Sequence, residues 1–321
     1  MSLPIQKAVI EVCGSCNYKC EMCPQTWGRE KSFKRVLNFD LFNNILDQLL
    51  DSEVKEIYLE GSGEPFMNKR LDKYVKAGTD KGFKISFITN GSLMQGDLMK
   101  RVMDAGLNFA RISVTGYNRE LYKRWMSEDW FDKVLDNTIK TLDYINKMGY
   151  NTTIGSYHLI IDNNNIEYEL QQYKQNWIEK IPGIKASIWK MHNWSGSYDK
   201  VTWRTKGKKR SCGRPFSPDL IVRSGGNDGK QGAVVPCCMV LGKDSQAVLG
   251  HLSDQTIEQI WNGELYNNLR EKHRQHKFDE VDYCKNCDML YDVPEALIWS
   301  NFGADYNSLT GSHFNMQDFR I

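Results

Sequence analysis

No stretch of this sequence approaches the roughly 18 consecutive apolar residues of a membrane-spanning helix. Its amino-terminal "MSLPIQKAVIEV" lacks a basic region followed by a long apolar one. Together these absences predict a cytoplasmic protein with no membrane partner. Long runs of one charge sign are missing too: 42 basic residues stand against 40 acidic ones, a formal charge of +2. A nucleic-acid footprint needs clustered positive charge, so no nucleic-acid partner is expected and the substrate should be small or peptidic. The sequence shows neither internal repeats nor low-complexity tracts.

The most informative absence is local. No cysteine occurs between Cys23 and Cys212, yet the chain holds nine. They fall into two groups: Cys13, Cys16, Cys20 and Cys23, then Cys212, Cys237, Cys238, Cys284 and Cys287. Scattered core thiols would not segregate in this way. In a reducing cytosol, clustered thiols are more often metal ligands than disulfides, and an odd count leaves one unpaired.

What is present supports a sizeable core: 321 residues, 40% hydrophobic and 12% aromatic. Between the cysteine groups, six β-type runs ("KAVIEV", "EIYLEG", "FKISFIT", "FARISV", "TTIGSYHLII", "IKASIWK") alternate with segments of helical apolar spacing, such as "FDLFNNILDQLLD" and "FDKVLDNTIKTLDYINKMG". Repeated strand–helix units imply an α/β fold with a parallel sheet and right-handed crossovers. Six units predict a partial, TIM-like (β/α)6 barrel over residues 1–192, with chemistry at the strand ends. Residues 193–211 are polar and aperiodic and read as a linker. Residues 212–321 begin with a hairpin-like stretch around a glycine-rich turn and continue with a helical one. This region is too small for a large core, so a metal site is expected to hold it together.

Cys16, Cys20 and Cys23 form C-x-x-x-C-x-x-C directly behind the first strand. A [4Fe–4S] cube held entirely by protein takes four cysteines, whereas three leave one iron open. A structural zinc site, usually four ligands in C-x-x-C pairs, is the inorganic alternative. Cys13, outside the pattern, reads as a small buried core residue.

The stretch "CNYKCEMCP" behind the first strand resembles the radical S-adenosylmethionine (SAM) enzymes. So do "GSGEP" at 61–65, with Ser62 where many members have glycine, "TNG" at 89–91, and Ser113 closing the fourth strand. The resemblance implies a SAM molecule chelating the open iron of a cluster held by Cys16, Cys20 and Cys23. Glu64, flanked by Gly61 and Gly63, is then expected to hold the methionine ammonium. Asn90 and Ser113 would bond carboxylate or ribose oxygens, and Met22 would pack against the adenine.

The second cysteine group, with "CGRP", "VVPCC" and "CKNC", resembles the SPASM or twitch extension that follows many radical SAM barrels and carries auxiliary [4Fe–4S] clusters. Five cysteines imply one auxiliary cluster, held by Cys212, Cys237, Cys284 and Cys287, with Cys238 as the alternative to Cys237. The same thiols also suit a four-cysteine zinc site.

Two enzymatic readings follow. The first is a radical SAM oxidoreductase, a dehydrogenase of a sugar or aminocyclitol, in which hydrogen leaves a hydroxyl-bearing carbon and the auxiliary cluster accepts an electron. A base must then take the hydroxyl proton, for which His158, Lys190 and His192 are candidates. The pocket is expected over the barrel mouth, drawing on 157–160, 190–194 and 203–210. The second reading is a precursor-peptide maturase that forms crosslinks or epimers. The barrel's start by about residue 6 is expected to leave no room for the peptide-recognition domain many such maturases carry. Either enzyme needs an electron donor such as flavodoxin or ferredoxin. A zinc-stabilised binding protein is the non-enzymatic alternative.

Overall fold

The structure is a computed structural model that describes residues 4–201, 207–291 and 297–302. All six expected strands form inside their segments: β1 (Lys7–Ile10), β2 (Glu56–Tyr58), β3 (Lys84–Thr89), β4 (Phe109–Ser113), β5 (Thr153–Ile160) and β6 (Lys185–Lys190). They lie side by side in chain order and each pairs parallel to the next. The helices between them are α1 (Pro24–Trp27), α2 (Phe39–Leu49), α3 (Leu71–Asp80), α4 (Gly96–Asp104), α5 (Arg119–Met126), α6 (Phe131–Met148) and α7 (Ile166–Tyr173).

Local sequence explains the helices. Asn38 caps α2 by accepting the Asp40 and Leu41 backbone N–H groups, and Phe42, Ile45, Leu46 and Leu49 then bury one face. Burying each such side chain contributes about 1.5–3 kcal/mol. The longest helix, α6, stops at Gly149, whose φ of 70° a side chain would resist.

The second region continues this sheet. Strand β7 (Asp219–Arg223) pairs parallel to the free edge of β1, with Lys7 opposite Asp219 and Ile10 opposite Val222. From there β8 (Ala233–Val235) and β9 (Gly250–His251) add antiparallel, giving the expected hairpin. At the other edge β10 (Leu297–Ser300) pairs antiparallel with β6. The result is an open ten-stranded sheet, a partial barrel whose two edge strands are covered by later segments. Two further helices, α8 (Ile257–Trp261) and α9 (Glu264–Arg274), follow β9.

Strand alternation divides the barrel residues between two faces. Ile57, Ile85 and Ile112 join the main apolar cluster with the helices, whereas Val9, Tyr58 and Ile221 form a separate cluster on the opposite face with Val235 and Val240. Among the described residues no helix is long and apolar enough to cross a membrane. The described part of the stretch expected to be a linker is tied to the second region: Asn193 bonds Asp288 and Asn286, and Ser197 bonds Leu241. Residues 203–206 of the expected pocket segment lie outside the described residues, as do 303–321.

Candidate functional site

Beyond β1 the chain turns sharply. Cys13 bridges Val36, is only 4% exposed, and keeps its thiol proton because burial pushes it up to about 11. The next carbonyl, of Gly14, accepts from Gln25 Nε2 and Arg29 Nη1, both at 3.0 Å, which pulls α1 back over the loop. Cys23 stands at the N-cap of α1 and Pro24 at its first turn, where a missing N–H costs nothing. On the other side the Tyr18 and Tyr122 hydroxyls meet at 2.9 Å, and Lys19 N–H donates to Ser127, docking the loop on α5.

This frame brings Cys16, Cys20 and Cys23 together. Burial pushes the Cys16 thiol up to about 12 and raises Cys20 and Cys23 as well, and negative charge on Cys23 raises Cys16 and Cys20 further. Three half-buried cysteines whose thiols resist ionising beside one another suit a cationic iron group, which removes the penalty by coordinating them as thiolates. Among the described residues no three His, Cys, Asp or Glu side chains close on one ion position.

The "GSGEP" loop packs directly on the cysteine loop. A Cβ at Gly63 would lie 2.1 Å from the Cys13 carbonyl oxygen, and one at Gly61 would lie 2.2 Å from Glu11 Oε2, so only glycine fits. Ser62 donates to Glu11 through both its N–H and its hydroxyl, at 2.7 and 2.5 Å. Glu64 is 1% exposed and accepts from Phe66 N, Thr89 Oγ1 and Asn90 N. Burial pushes its carboxyl up to about 7 against those hydrogen bonds. With about four acceptor positions and three donors, it retains room for one more, such as an ammonium.

Asn90 donates to Asn17 at 2.9 Å and lies 3.9 Å from Cys16 Sγ, so it braces the cysteine loop. Ser113 closes β4, half-buried. Met22 is 6% exposed within the main apolar cluster.

The three candidate bases part company. His158 is fully buried, its Nδ1 3.0 Å from the Val114 carbonyl oxygen and its Nε2 2.7 Å from Glu169 Oε1, with its ring stacked on Tyr173. It faces α7 instead of the barrel mouth, because alternation along β5 sends it to the helix side with Ser156, which Tyr173 also contacts. That position does not suit the base role expected of it. Lys190, the last residue of β6, lies opposite Ile160 and alternates onto the side of Ile188 and His158. His192 stands just past the C-terminal end of β6, half-buried, with its Nδ1 accepting the Trp194 N–H at 3.3 Å.

In the second region Cys212, Cys237, Cys284 and Cys287 line one cavity, which Cys238 does not. The Cys238 sulfur lies 3.4 Å from Nη1 of Arg214, which itself lines the cavity. Cys287 N–H donates to the Cys284 carbonyl at 2.7 Å, the tight turn of the C-x-x-C pair. Burial pushes the Cys237 thiol up to about 12 and raises Cys284 and Cys287 well above their ordinary value. The buried guanidinium of Arg214 adds positive charge beside these thiols. Four thiols around one largely apolar cavity fit a cluster with no open iron.

Sequence reasoning missed the charged residues that join the two sites. Arg223 Nε lies 3.0 Å from Asp244, its Nη1 lies 3.9 Å from Glu11, and its Nη2 donates to the Cys238 carbonyl at 3.2 Å. Glu11 also binds Arg29, beside the first cysteine loop. The available signal was a charge at the carboxyl end of an apolar run, Glu11 in "KAVIEV" and Arg223 in "DLIVR".

The fold and its two thiol sites define an iron–sulfur protein on a partial barrel. The chain belongs to the radical SAM superfamily: the superfamily model matches residues 10–170, and an iron–sulfur cluster-binding domain matches 229–288. It therefore binds SAM and a [4Fe–4S] cluster in the barrel, with auxiliary iron–sulfur binding in the C-terminal region. An uncharacterized protein of Methanocaldococcus jannaschii is 26% identical over 173 residues, 54% of this chain and 54% of that protein. The chain thus spans about half the length of that relative. Among solved structures, BtrN in complex with AdoMet and 2-DOIA aligns at a TM-score of 0.57 with 17% identity, covering 88% of this chain and 92% of that one. SuiB of Streptococcus suis bound to S-adenosylmethionine aligns at 0.58 with 15% identity, covering 88% and 72%. At these identities the likeness is one of fold.

Proposed function

We propose that this radical SAM enzyme oxidises a hydroxyl-bearing carbon of a sugar or aminocyclitol, with Cys16, Cys20 and Cys23 holding the SAM-binding cluster and Cys212, Cys237, Cys284 and Cys287 a single auxiliary one. When bound, the barrel cluster and SAM supply the 5′-deoxyadenosyl radical that takes a substrate hydrogen atom, and the auxiliary cluster supplies an acceptor for the second electron. One observation carries the reading: four thiols line one cavity, and the fifth, Cys238, is not among its lining residues. A site closed by four thiolates has no iron to offer a substrate, so electron transfer is the chemistry left to it.

The chain's own residues do the rest. Glu64 holds its carboxylate at the end of the second strand unit, braced by Phe66, Thr89 and Asn90, to receive the ammonium of SAM. Gly61 and Gly63 let that loop lie against the cysteine loop, Asn90 fixes the loop through Asn17, and Ser113 offers a hydroxyl at the strand edge. Met22, between Cys20 and Cys23, offers its thioether to the adenine. The hydroxyl proton of the substrate leaves to a base at the strand ends, and His192 is the candidate that stands there. A flavodoxin or ferredoxin supplies the reducing electron.

The second reading, modification of a precursor peptide, draws on the fold shared with SuiB bound to precursor peptide SuiA, at a TM-score of 0.56. A panel of sugars and aminocyclitols deuterated at each carbinol carbon separates the two. Deuterium should appear in 5′-deoxyadenosine together with an equal amount of ketone. Deuterium transfer from a peptide and from none of the polyols would overturn the first reading in favour of the second.

A further inference from the structure

Helix α9 carries a histidine that the barrel chemistry does not use. His273 is 1% exposed and lines the same cavity as Cys212, Cys237, Cys284 and Cys287. Its Nδ1 lies 3.1 Å from Ser211 Oγ, while its Nε2 is buried without a hydrogen-bond partner. A buried polar atom left unpaired is costly, so such an atom on a ligand cavity points to a ligand that pairs it.

Ser211 Oγ lies 3.1 Å from His273 Nδ1 and 3.4 Å from the Cys212 carbonyl, and its one hydroxyl proton can go to either. With that proton given to Nδ1, the ring's own proton sits on Nε2 and makes it a donor. An anionic sulfur group in the cavity favours the same tautomer, because the alternative would present a lone pair to it. Arg214 and Ser195 line the same cavity with donors of their own, whereas Pro215 and Pro236 have no N–H to offer.

We propose that His273 is a positioning residue for the auxiliary cluster, donating its Nε2–H to the cluster's sulfur and thereby making the cluster easier to reduce. The inference rests on the reading that the four cavity thiols hold that cluster. Its physical basis is that a hydrogen bond to sulfur stabilises the more negative, reduced state more than the oxidised one.

The test uses the full chain carrying Cys16→Ala, Cys20→Ala and Cys23→Ala, reconstituted anaerobically, so that the remaining iron belongs to the auxiliary site. Its reduction equilibrium is followed by electron paramagnetic resonance against mediators of known potential. Replacing His273→Leu should disfavour reduction about tenfold, which is about 59 mV for a one-electron couple. His273→Gln, whose amide still donates, should recover at least half of that shift. Ser211→Ala, which frees the ring tautomer without touching the cavity wall, should move the equilibrium the same way by a smaller amount, and it reports even where His273→Leu fails to hold iron. Iron present with an equilibrium unmoved by both His273→Leu and Ser211→Ala would overturn the role of His273 alone. A background that holds no iron would overturn the cluster assignment and the role of His273 together.

Discussion

Arg29 Nη2 donates to both carboxylate oxygens of Glu11, at 2.9 and 3.1 Å, with both side chains sealed from water. The pair lies at a junction. Arg29 also holds the Gly14 carbonyl of the first cysteine loop, and Glu11 also receives Ser62 of the glycine-rich loop and Ser224 beyond β7. Through Arg223 and Asp244 the same network reaches the carbonyl of Cys238. One set of buried charges therefore sets the position of both thiol sites.

Removing one member of a buried pair leaves the others uncompensated, at a cost of about 3–5 kcal/mol. Glu11→Gln should lower the stability of the chain by that order, read as a lower midpoint in denaturant. Burial alone would raise the Glu11 carboxyl, but Arg29 and Arg223 outweigh it and hold it at about 2, below its ordinary 4.5. Its contribution is thus fully present above about 4.5 and is lost as pH falls toward about 2. Wild-type stability should fall across that window, and Glu11→Gln should flatten part of the slope. Equal slopes for the two proteins would show that the carboxylate is not paired as described.

Gly63→Ala tests the contact between the two loops. Its Cβ would meet the Cys13 and Ser15 carbonyl oxygens at 2.1 and 2.6 Å, so the loops must separate. The cost should be about 1–3 kcal/mol, accompanied by weaker SAM binding in equilibrium dialysis. Gly28→Ala, where a Cβ meets nothing within 4 Å, is the control and should bind SAM as the wild type does.

The neighbouring thiols Cys237 and Cys238 should behave differently. Cys237→Ser removes a cavity thiol and should cost the auxiliary iron, whereas Cys238→Ser should leave the iron content unchanged. Iron lost from the Cys238 variant and kept in the Cys237 variant would exchange their roles.

Much of this was written in the sequence, and the exceptions have physical reasons. The six barrel strands were legible because each is a short apolar run bounded by turns, and the cysteine spacing was legible because a cluster constrains it. That β7 completes the edge of β1 was not legible: "DLIVR" declares a strand, but nothing local says which partner it pairs with. His158 misled because a strand reveals two faces without saying which one meets the helices. Its partner Glu169, at the start of the next helix, was the only hint. Glu11, Arg29, Arg223 and Asp244 come from four separate segments, and only the folded chain brings their charges together.

The proposed electron acceptor makes a further demand. Cys284→Ala with Cys287→Ala removes two of the four cavity thiols and leaves the barrel loop intact, so SAM cleavage should survive while ketone fails to accumulate. Circular dichroism and SAM binding of the double variant check first that it folds, since the same site is expected to hold the second region together. A folded variant without auxiliary iron that still makes ketone and 5′-deoxyadenosine in the wild-type ratio would point to redox-neutral chemistry such as epimerisation.

Two separate sets of thiols holding two clusters should be visible in iron and acid-labile sulfide analysis after anaerobic reconstitution. Two [4Fe–4S] groups require about eight irons and eight sulfides in the wild type. The Cys16→Ala, Cys20→Ala, Cys23→Ala variant should keep about four of each and form no 5′-deoxyadenosine, and the Cys284→Ala, Cys287→Ala variant should keep about four of each and still cleave SAM. Zinc in place of iron at either site, or SAM cleavage persisting in the first variant, would contradict the two-cluster assignment.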